Sequence, residues 1–178
     1  MTDADVVQAA ADILGGTVNT ATWDKRGNRK PAFYVAVYGQ KAENAMLRLG
    51  PLLYSRRREK IEDVLGAQLT AEPGRDIVWL AGLLEGEGYF VAEPRKSGKP
   101  VLRVALKMCD EDVVSTASEL MSAPSVRRYQ PKNPKHSAYW ETKVNGRDAE
   151  RVMRSVLPYM YSRRERAIKE ALEKRRSS

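Results

Sequence analysis

Residues 79–90 read WLAGLLEGEGYF, an apolar stretch rich in small residues that ends in two acids interleaved with glycines. The apolar part predicts a buried helix. Ala81 and Gly82 lack bulk, so we expect a second helix to pack closely against this position. Gly88 is expected to end the helix in the left-handed conformation that favours glycine. The segment therefore predicts a helix with a packing face and an acidic end.

Two carboxylates, Glu85 and Glu87, are expected at that end of the helix. The carboxyl end of a helix carries partial negative charge, so an acid there is unfavourable unless a cation binds nearby. The residues alone are equally compatible with a buried helix whose terminal acids face solvent. Both interpretations stay open at this point.

Composition limits the classes of protein. The chain has 178 residues, enough for one good-sized domain or two small ones. Its 31 basic and 23 acidic residues give a formal net charge of +8, which favours nucleic acid as a partner, although a solvated basic surface is the simpler alternative. No run approaches the roughly 18 apolar residues of a membrane span, and the N-terminus lacks a secretory pattern, so no membrane partner is expected.

Cysteine and histidine occur once each, as Cys109 and His136. A single cysteine suits a reducing cytoplasm, where we expect a nucleoid-associated protein. Cys109 follows an apolar strand pattern and is expected to be a small core residue rather than a nucleophile. One histidine and one cysteine cannot build a Cys/His zinc site. Any metal must then be bound by oxygen, which favours magnesium, manganese or calcium.

The sequence repeats itself at a constant offset of 107 residues, as between Asp5 and Asp112. Over residues 5–65, about 17 of roughly 61 aligned positions are identical, which indicates a duplication. Each copy is predicted to fold as helix, strand, strand and basic helix. The clearest match relates Pro51, Tyr54, Ser55, Arg56 and Arg57 to Pro158, Tyr161, Ser162, Arg163 and Arg164.

The second copy has an additional front end, from residue 75 to about residue 108. It contains the motif helix, a strand from Tyr89, the turn RKSGK and the strand VLRVALKM. The predicted fold class is α+β. It comprises a full αββαββα unit over residues 75–178, preceded by a partial αββα repeat over residues 1–68 and a linker at residues 69–74.

Strand alternation predicts which side chains share a face of the sheet. The apolar face is expected to carry Leu102, Val104, Leu106, Met108, Trp140, Thr142 and Val144. The other face is expected to carry Arg103, Ala105, Lys107, Arg127, Tyr129, Tyr139, Glu141 and Lys143. A face rich in arginine, lysine and tyrosine suits a surface that reads a DNA groove, although exposed faces of antiparallel sheets are polar in any case.

Residues 80–88, LAGLLEGEG, resemble the motif of the LAGLIDADG homing-endonuclease family, with glutamates in place of the aspartates. The order of elements that follows is similar to that of the family, as is LPYM at residues 157–160 before a basic helix. The resemblance covers residues 75–173 well and residues 3–66 in part. It implies two motif helices packed side by side over a saddle of antiparallel strands that straddles the major groove of double-stranded DNA.

The resemblance also implies site residues. Glu87 would bind a divalent metal, Mg²⁺ or Mn²⁺, and Glu85 would support it without binding the metal. Arg163 would lie near the scissile phosphate, and Lys107 would order water, which makes Glu87, Arg163 and Lys107 the candidate catalytic residues. DNA contacts are expected from Arg95, Lys96, Lys99, Arg103, Lys107, Arg127, Tyr129, Tyr139, Lys143, Arg56, Arg57 and Arg164.

Two features depart from the family pattern. An arginine at position 163 keeps its proton, so it stabilises charge but relays no proton. The same Tyr-Ser-Arg-Arg tetrad recurs at residues 54–57, in a copy that has no acidic motif. There it is either a phosphate clamp shared by both halves or a basic helix face.

The chain also has one motif helix, whereas cutting two strands needs two. Either two chains pair through residues 75–87 as a homodimer on a near-palindromic target, or the protein does not cut. Three functions are therefore compared: a magnesium-dependent, site-specific DNA endonuclease, a non-cleaving DNA-binding regulator or architectural protein without a cofactor, and an RNA maturase.

Overall fold

The computed structural model describes residues 3–21, 31–70, 75–96, 98–131, 133 and 137–177. The chain divides into two compact units, Met1–Pro73 and Gly74–Ser178. Parts of the predicted linker (residues 71–74) and of the RKSGK turn (Ser97), together with His136, lie outside the described residues. No helix in the described part of the chain is long and apolar enough to cross a membrane.

The described part of the first unit contains three helices and a two-stranded antiparallel sheet. Its elements are α1 (Ala4–Leu14), β1 (Val18–Ala21), β2 (Ala32–Val35), α2 (Gln40–Leu49) and α3 (Ser55–Leu65), with a 3₁₀ turn at Gly50–Leu52. Few of its described side chains are buried, chiefly Val7 and Ala11 on α1.

The second unit contains four helices and a four-stranded antiparallel sheet of order β3-β4-β6-β5. Its elements are α4 (Ile77–Glu87), β3 (Tyr89–Glu93), β4 (Val101–Met108), α5 (Glu111–Met121), β5 (Val126–Tyr129), β6 (Tyr139–Asn145), α6 (Gly146–Val156) and α7 (Ser162–Arg176), with a 3₁₀ turn at Leu157–Tyr159.

The structure confirms the predicted repeat and the predicted αββ front end of the second unit. Helix α1 matches α5 at the offset of 107 residues, and α3 and α7 begin at the matching Ser55 and Ser162. Gly39 and Gly146, which match, both have positive φ (56° and 61°) next to α2 and α6. The two halves of the duplication therefore use the same glycine-dependent turn between strand and helix.

Strand alternation is also confirmed. Leu102, Val104 and Leu106 are 0–1% exposed and lie under the helices, whereas Arg103, Ala105 and Lys107 point to the other face. On β6, Thr142 and Val144 are buried in the same way. The core of the second unit thus forms between the apolar face of the sheet and helices α4 to α7.

The basic helix predicted at the end of each copy is in fact two helices. A 3₁₀ turn that contains Pro51 separates α2 from α3, and a 3₁₀ turn that contains Pro158 separates α6 from α7. Proline lacks an N–H donor, so the hydrogen bonding of the α-helix is interrupted at this position. Gly50 and Leu157, just before the prolines, still have helical backbone, and the chain becomes extended at Leu53 and Met160. In the first unit, β2 ends at Val35, and residues 36–38 form no strand.

Two expectations about single residues were wrong, those for Gly88 and Cys109. Gly88 has extended backbone (φ −71°, ψ 149°), and it must be glycine because a Cβ atom there would lie 2.5 Å from the carbonyl oxygen of Leu84. The predicted packing position is divided between two sides of α4: Ala81 is fully buried in the core of its own unit, where α4 packs against α5 and α6, and Gly82 is exposed. Cys109 is exposed because β4 ends one residue before it.

Candidate nucleic-acid interface

The exposed face of the four-stranded sheet brings the predicted DNA-binding residues into rows. Cross-strand pairing places Arg127, Glu141 and Lys107 in one row. A second row contains Lys143, Ala105 and Tyr89. Cross-strand neighbours lie about 4.5–5.5 Å apart, so each row is a continuous strip of side chains. Four cations, Arg103, Lys107, Arg127 and Lys143, lie on this face among tyrosines and two acids.

Two predicted tyrosines form a stack at one end of the face. The rings of Tyr129 and Tyr139 lie 5.3 Å apart at an angle of 16°. The amino group of Lys107 lies 5.9 Å from the ring centre of Tyr139, within cation–π range. The stack therefore limits where these side chains can move and fixes the position of an ammonium group above the sheet.

Arg103 is held by protein groups on both sides. Its guanidinium forms a salt bridge with Glu93 on β3, and its Nε donates to the side-chain oxygen of Asn145 at 3.0 Å. These contacts orient the arginine across three strands. Arg95, Lys96 and Lys99, also predicted to contact DNA, are exposed in the connection between β3 and β4.

A groove of about 300 Å³ joins the end of the motif helix to this face. It is lined by Glu87, Tyr89, Arg103, Ala105, Leu106, Lys107 and Glu141. The structure thus brings together two of the three predicted catalytic residues, Glu87 and Lys107. The sequence predicted the face on which Glu141 lies but assigned it no role, because its proximity to Glu87 depends on strand order.

Glu85 is buried (5% exposed) and connects two helices. Its Oε2 accepts a hydrogen bond of 2.9 Å from the backbone N–H of Tyr161, the N-cap residue of α7. A carboxylate is favourable at the positive end of a helix. The alternative in which both terminal acids of the motif face solvent therefore holds for Glu87, which is exposed, and not for Glu85.

Arg164 completes this connection from the other side. Its Nε and Nη2 donate to the backbone carbonyls of Glu85 (3.0 Å) and Gly86 (3.2 Å). These are carbonyls of the last turn of α4, which have no partner within the helix. We call the contacts of Tyr161 and Arg164 with α4 the helix latch. Arg164, which is predicted to contact DNA, therefore also has a structural role.

The third predicted catalytic residue, Arg163, is exposed in the first turn of α7 and does not line the groove of Glu87. In the first unit, the matching Arg56 and Arg57 are exposed in the first turn of α3. Their predicted contacts with DNA stay predictions.

The residues present fit a divalent cation only in part. Glu87 offers an exposed carboxylate, the type of ligand that Mg²⁺ prefers. Among the described residues, however, no three histidine, cysteine or acidic side chains lie together as a metal site. One chain therefore supplies a ligand rather than a complete site.

Comparison with solved structures identifies the fold of this chain, whereas comparison of its sequence with families and curated proteins finds no match. No protein-family model and no curated protein matches the sequence. The meganuclease I-SmaMI bound to an uncleavable DNA matches with a TM-score of 0.56 at 12% identity, over 97% of this chain and 75% of its own. The LAGLIDADG meganuclease I-AabMI bound to uncleaved DNA matches with a TM-score of 0.54 at 14% identity, over 97% and 76%.

The homing endonuclease I-CvuI in complex with its target matches with a TM-score of 0.40 and 17% identity, over 53% of this chain and 66% of its own. The chain thus spans less than two thirds of that protein. The likenesses to I-SmaMI and I-AabMI show that the chain has the LAGLIDADG homing-endonuclease fold.

Proposed function

We propose that this protein binds double-stranded DNA site-specifically through the exposed face of its four-stranded sheet. We further propose that Glu87 provides half of a metal-dependent centre for phosphodiester cleavage. The observation that supports both is the single groove in which Glu87, Lys107 and Glu141 lie beside the basic, tyrosine-bearing face. The structures of I-SmaMI and I-AabMI, which share the fold, are described as bound to DNA.

Each part of the face suits a different contact with DNA. Lysine and arginine side chains neutralise phosphates, which gives affinity and orientation but little sequence information. Arg127 and Lys143, which project from neighbouring strands, can also reach guanine edges in a major groove. Glu141, between cations, has the acceptor chemistry that recognises the amino group of cytosine.

Cleavage would use Glu87 as one oxygen ligand of Mg²⁺ or Mn²⁺. A bound ion of this kind activates water and neutralises developing charge on the phosphate. Lys107 can hold a water molecule or a phosphate oxygen in the same groove. Arg163 can add a fixed positive charge at the phosphate, because its guanidinium stays protonated.

Cutting both DNA strands needs two motif helices, and the second unit of one chain carries one of them, α4. The other motif helix must come from elsewhere. We propose pairing through α4, on which Val78 and Gly82 are exposed and a Cβ atom at Gly82 would meet open space. A homodimer would place two copies of Glu87 at the two strands of a near-palindromic site. Measuring the mass of the protein with and without DNA tests this pairing, and a strict monomer in both conditions contradicts it.

A second candidate is a DNA-binding regulator that does not cut. It is favoured by the lack, among the described residues, of a cluster of three metal-binding side chains. An RNA maturase remains a third and weaker candidate, and a preference for structured RNA over duplex DNA would distinguish it.

One experiment tests the proposal and its rival. Target duplexes are first selected from random DNA. Binding and cleavage are then measured with Mg²⁺ for the wild type, for Glu87→Gln and for the control Glu170→Gln. Glu170 is an exposed acid on α7. Cleavage lost in Glu87→Gln alone, with binding retained, supports the nuclease. Specific binding without cleavage by any of the three supports the regulator. Failure to select any duplex contradicts both.

A further inference from the structure

The first unit retains a surface that is covered in the second unit. Helix α4 packs against α5 and α6 in the second unit, where Met121, Val152 and Val156 are 0–1% exposed. The matching Leu14, Ala45 and Leu49 line an open groove of about 310 Å³ between α1 and α2. Leu49 is 41% exposed, whereas the matching Val156 is 0% exposed. The covering helix has no counterpart in the described part of the first unit.

The small sheet shows the same difference at its edge. Strand β6 continues to Asn145, and its last three residues pair only with β4. The matching strand β2 ends at Val35, and residues 36–38 form no strand, so that Tyr38 is 82% exposed. In the described part of the first unit, β2 has one neighbouring strand, β1. Residues 36–38 lack the pairing that β4 gives to the end of β6, and this explains why β2 ends early.

The residue types of the helix latch recur in the first unit. In the second unit, the backbone of Tyr161 and the side chain of Arg164 bind the end of α4. The first unit has Tyr54 and Arg57 at the matching positions, at the start of α3, and Arg57 is exposed. Groove, strand edge and latch thus correspond to three separate contacts of one αββ segment.

We propose that the first unit is a docking site for a helix–hairpin segment from outside these 178 residues, with the chemistry of α4, β3 and β4. Its apolar helix would fill the groove between α1 and α2. Arg57 would bind the last carbonyls of this helix, and one strand of its hairpin would extend the sheet at β2.

A second copy of the chain is a poor donor of this segment. Leu84 on α4 and Val104 and Leu106 on β4 are 0–1% exposed in the core of their own unit. Donating them would open that core. The segment must therefore be an additional one. The inference goes beyond DNA binding and does not depend on it.

The test adds the missing segment to the full chain. A second copy of residues 75–109 is joined in front of residue 1 by a flexible Gly/Ser linker, so that the local concentration is high. Amide hydrogen exchange is then measured without DNA or metal. We expect residues 36–38 to become part of a strand and to exchange at least about tenfold more slowly than in the unmodified chain.

Matched variants show whether the segment binds where proposed. Leu49→Lys, in the groove, and Arg57→Ala, in the latch, should each remove the added protection. Two control variants should keep the added protection. Leu47→Lys changes a position whose match in the second unit, Arg154, is exposed. Lys60→Ala introduces the residue found at the matching position, Ala167. Unchanged exchange at residues 36–38 overturns the proposal, as does protection that survives both Leu49→Lys and Arg57→Ala. Because DNA is absent, a failed cleavage assay leaves this result unaffected.

Discussion

Glu85 and Tyr161, 76 residues apart in sequence, are joined by a hydrogen bond of 2.9 Å from the N–H of Tyr161 to the carboxylate of Glu85. Together with Arg164, this bond ties the end of α4 to the beginning of α7. Glu87 is two residues beyond Glu85, and Arg163 is two residues beyond Tyr161. The bond therefore fixes the backbone that carries the candidate metal ligand relative to the backbone that carries the candidate phosphate-binding arginine.

Replacing Glu85 should destabilise the second unit. Glu85→Ala removes a charged acceptor from a buried hydrogen bond, and we expect the free energy of unfolding to fall by about 1.5–3 kcal/mol. Urea denaturation followed by circular dichroism measures the change. Glu87→Ala is the control: it removes an exposed acid from the negative end of the same helix, so its effect should stay within about 0.5 kcal/mol. Equal effects of the two variants would contradict the helix latch.

The neighbouring arginines of α7 should behave differently from one another. Arg164→Ala removes two hydrogen bonds to the last turn of α4 and should lower the melting temperature of the second unit. Arg163→Ala should leave the melting temperature nearly unchanged and reduce DNA cleavage, because Arg163 is exposed and is assigned to the phosphate. Calorimetry and a cleavage assay on both variants check this division. A stable Arg164→Ala protein with impaired DNA binding alone would instead assign Arg164 to DNA.

Most of the elements and the faces of the strands could be predicted from the sequence. Residues 79–90 predicted the motif helix, the repeat predicted the matching elements, and alternation placed Lys107 and Lys143 on the exposed face. These features depend on local patterns of apolar and polar residues, which are legible without a structure. Pro158, which lacks an N–H donor, likewise marks the interruption between α6 and α7 in the sequence.

Contacts between distant segments could not be predicted in this way. The carboxylate of Glu85 is buried because its partner, Tyr161, belongs to a distant segment of the chain, and Glu141 lines the same groove as Glu87 because β6 pairs with β4. Gly88 was assigned a left-handed conformation from residue type alone, whereas the close approach of the Leu84 carbonyl is what requires glycine. In each case the cause lies in packing rather than in the residue itself.

Two glycines of the motif should respond in opposite ways to alanine. Gly88→Ala places a Cβ atom against the backbone of Leu84 and should destabilise the second unit by more than about 1 kcal/mol. Gly86→Ala meets open space within a helix and should stabilise the free protein by up to about 1 kcal/mol. Chemical denaturation of both variants gives the signs. A destabilising Gly86→Ala would show that something packs against this side of α4 in solution.

The salt dependence of DNA binding should identify the residues of the sheet that contact phosphate. Lys107→Ala, Lys143→Ala and Arg127→Ala each remove one cation from the exposed face. For each lost phosphate contact, the slope of log K against log salt should become shallower by about 0.9. Lys169→Ala is the control, since Lys169 pairs with Glu165 on α7, a helix that packs on the other side of the sheet. Fluorescence anisotropy between about 50 and 200 mM salt measures the slopes. If Lys169→Ala changes the slope as much as the sheet variants do, DNA does not bind to this face.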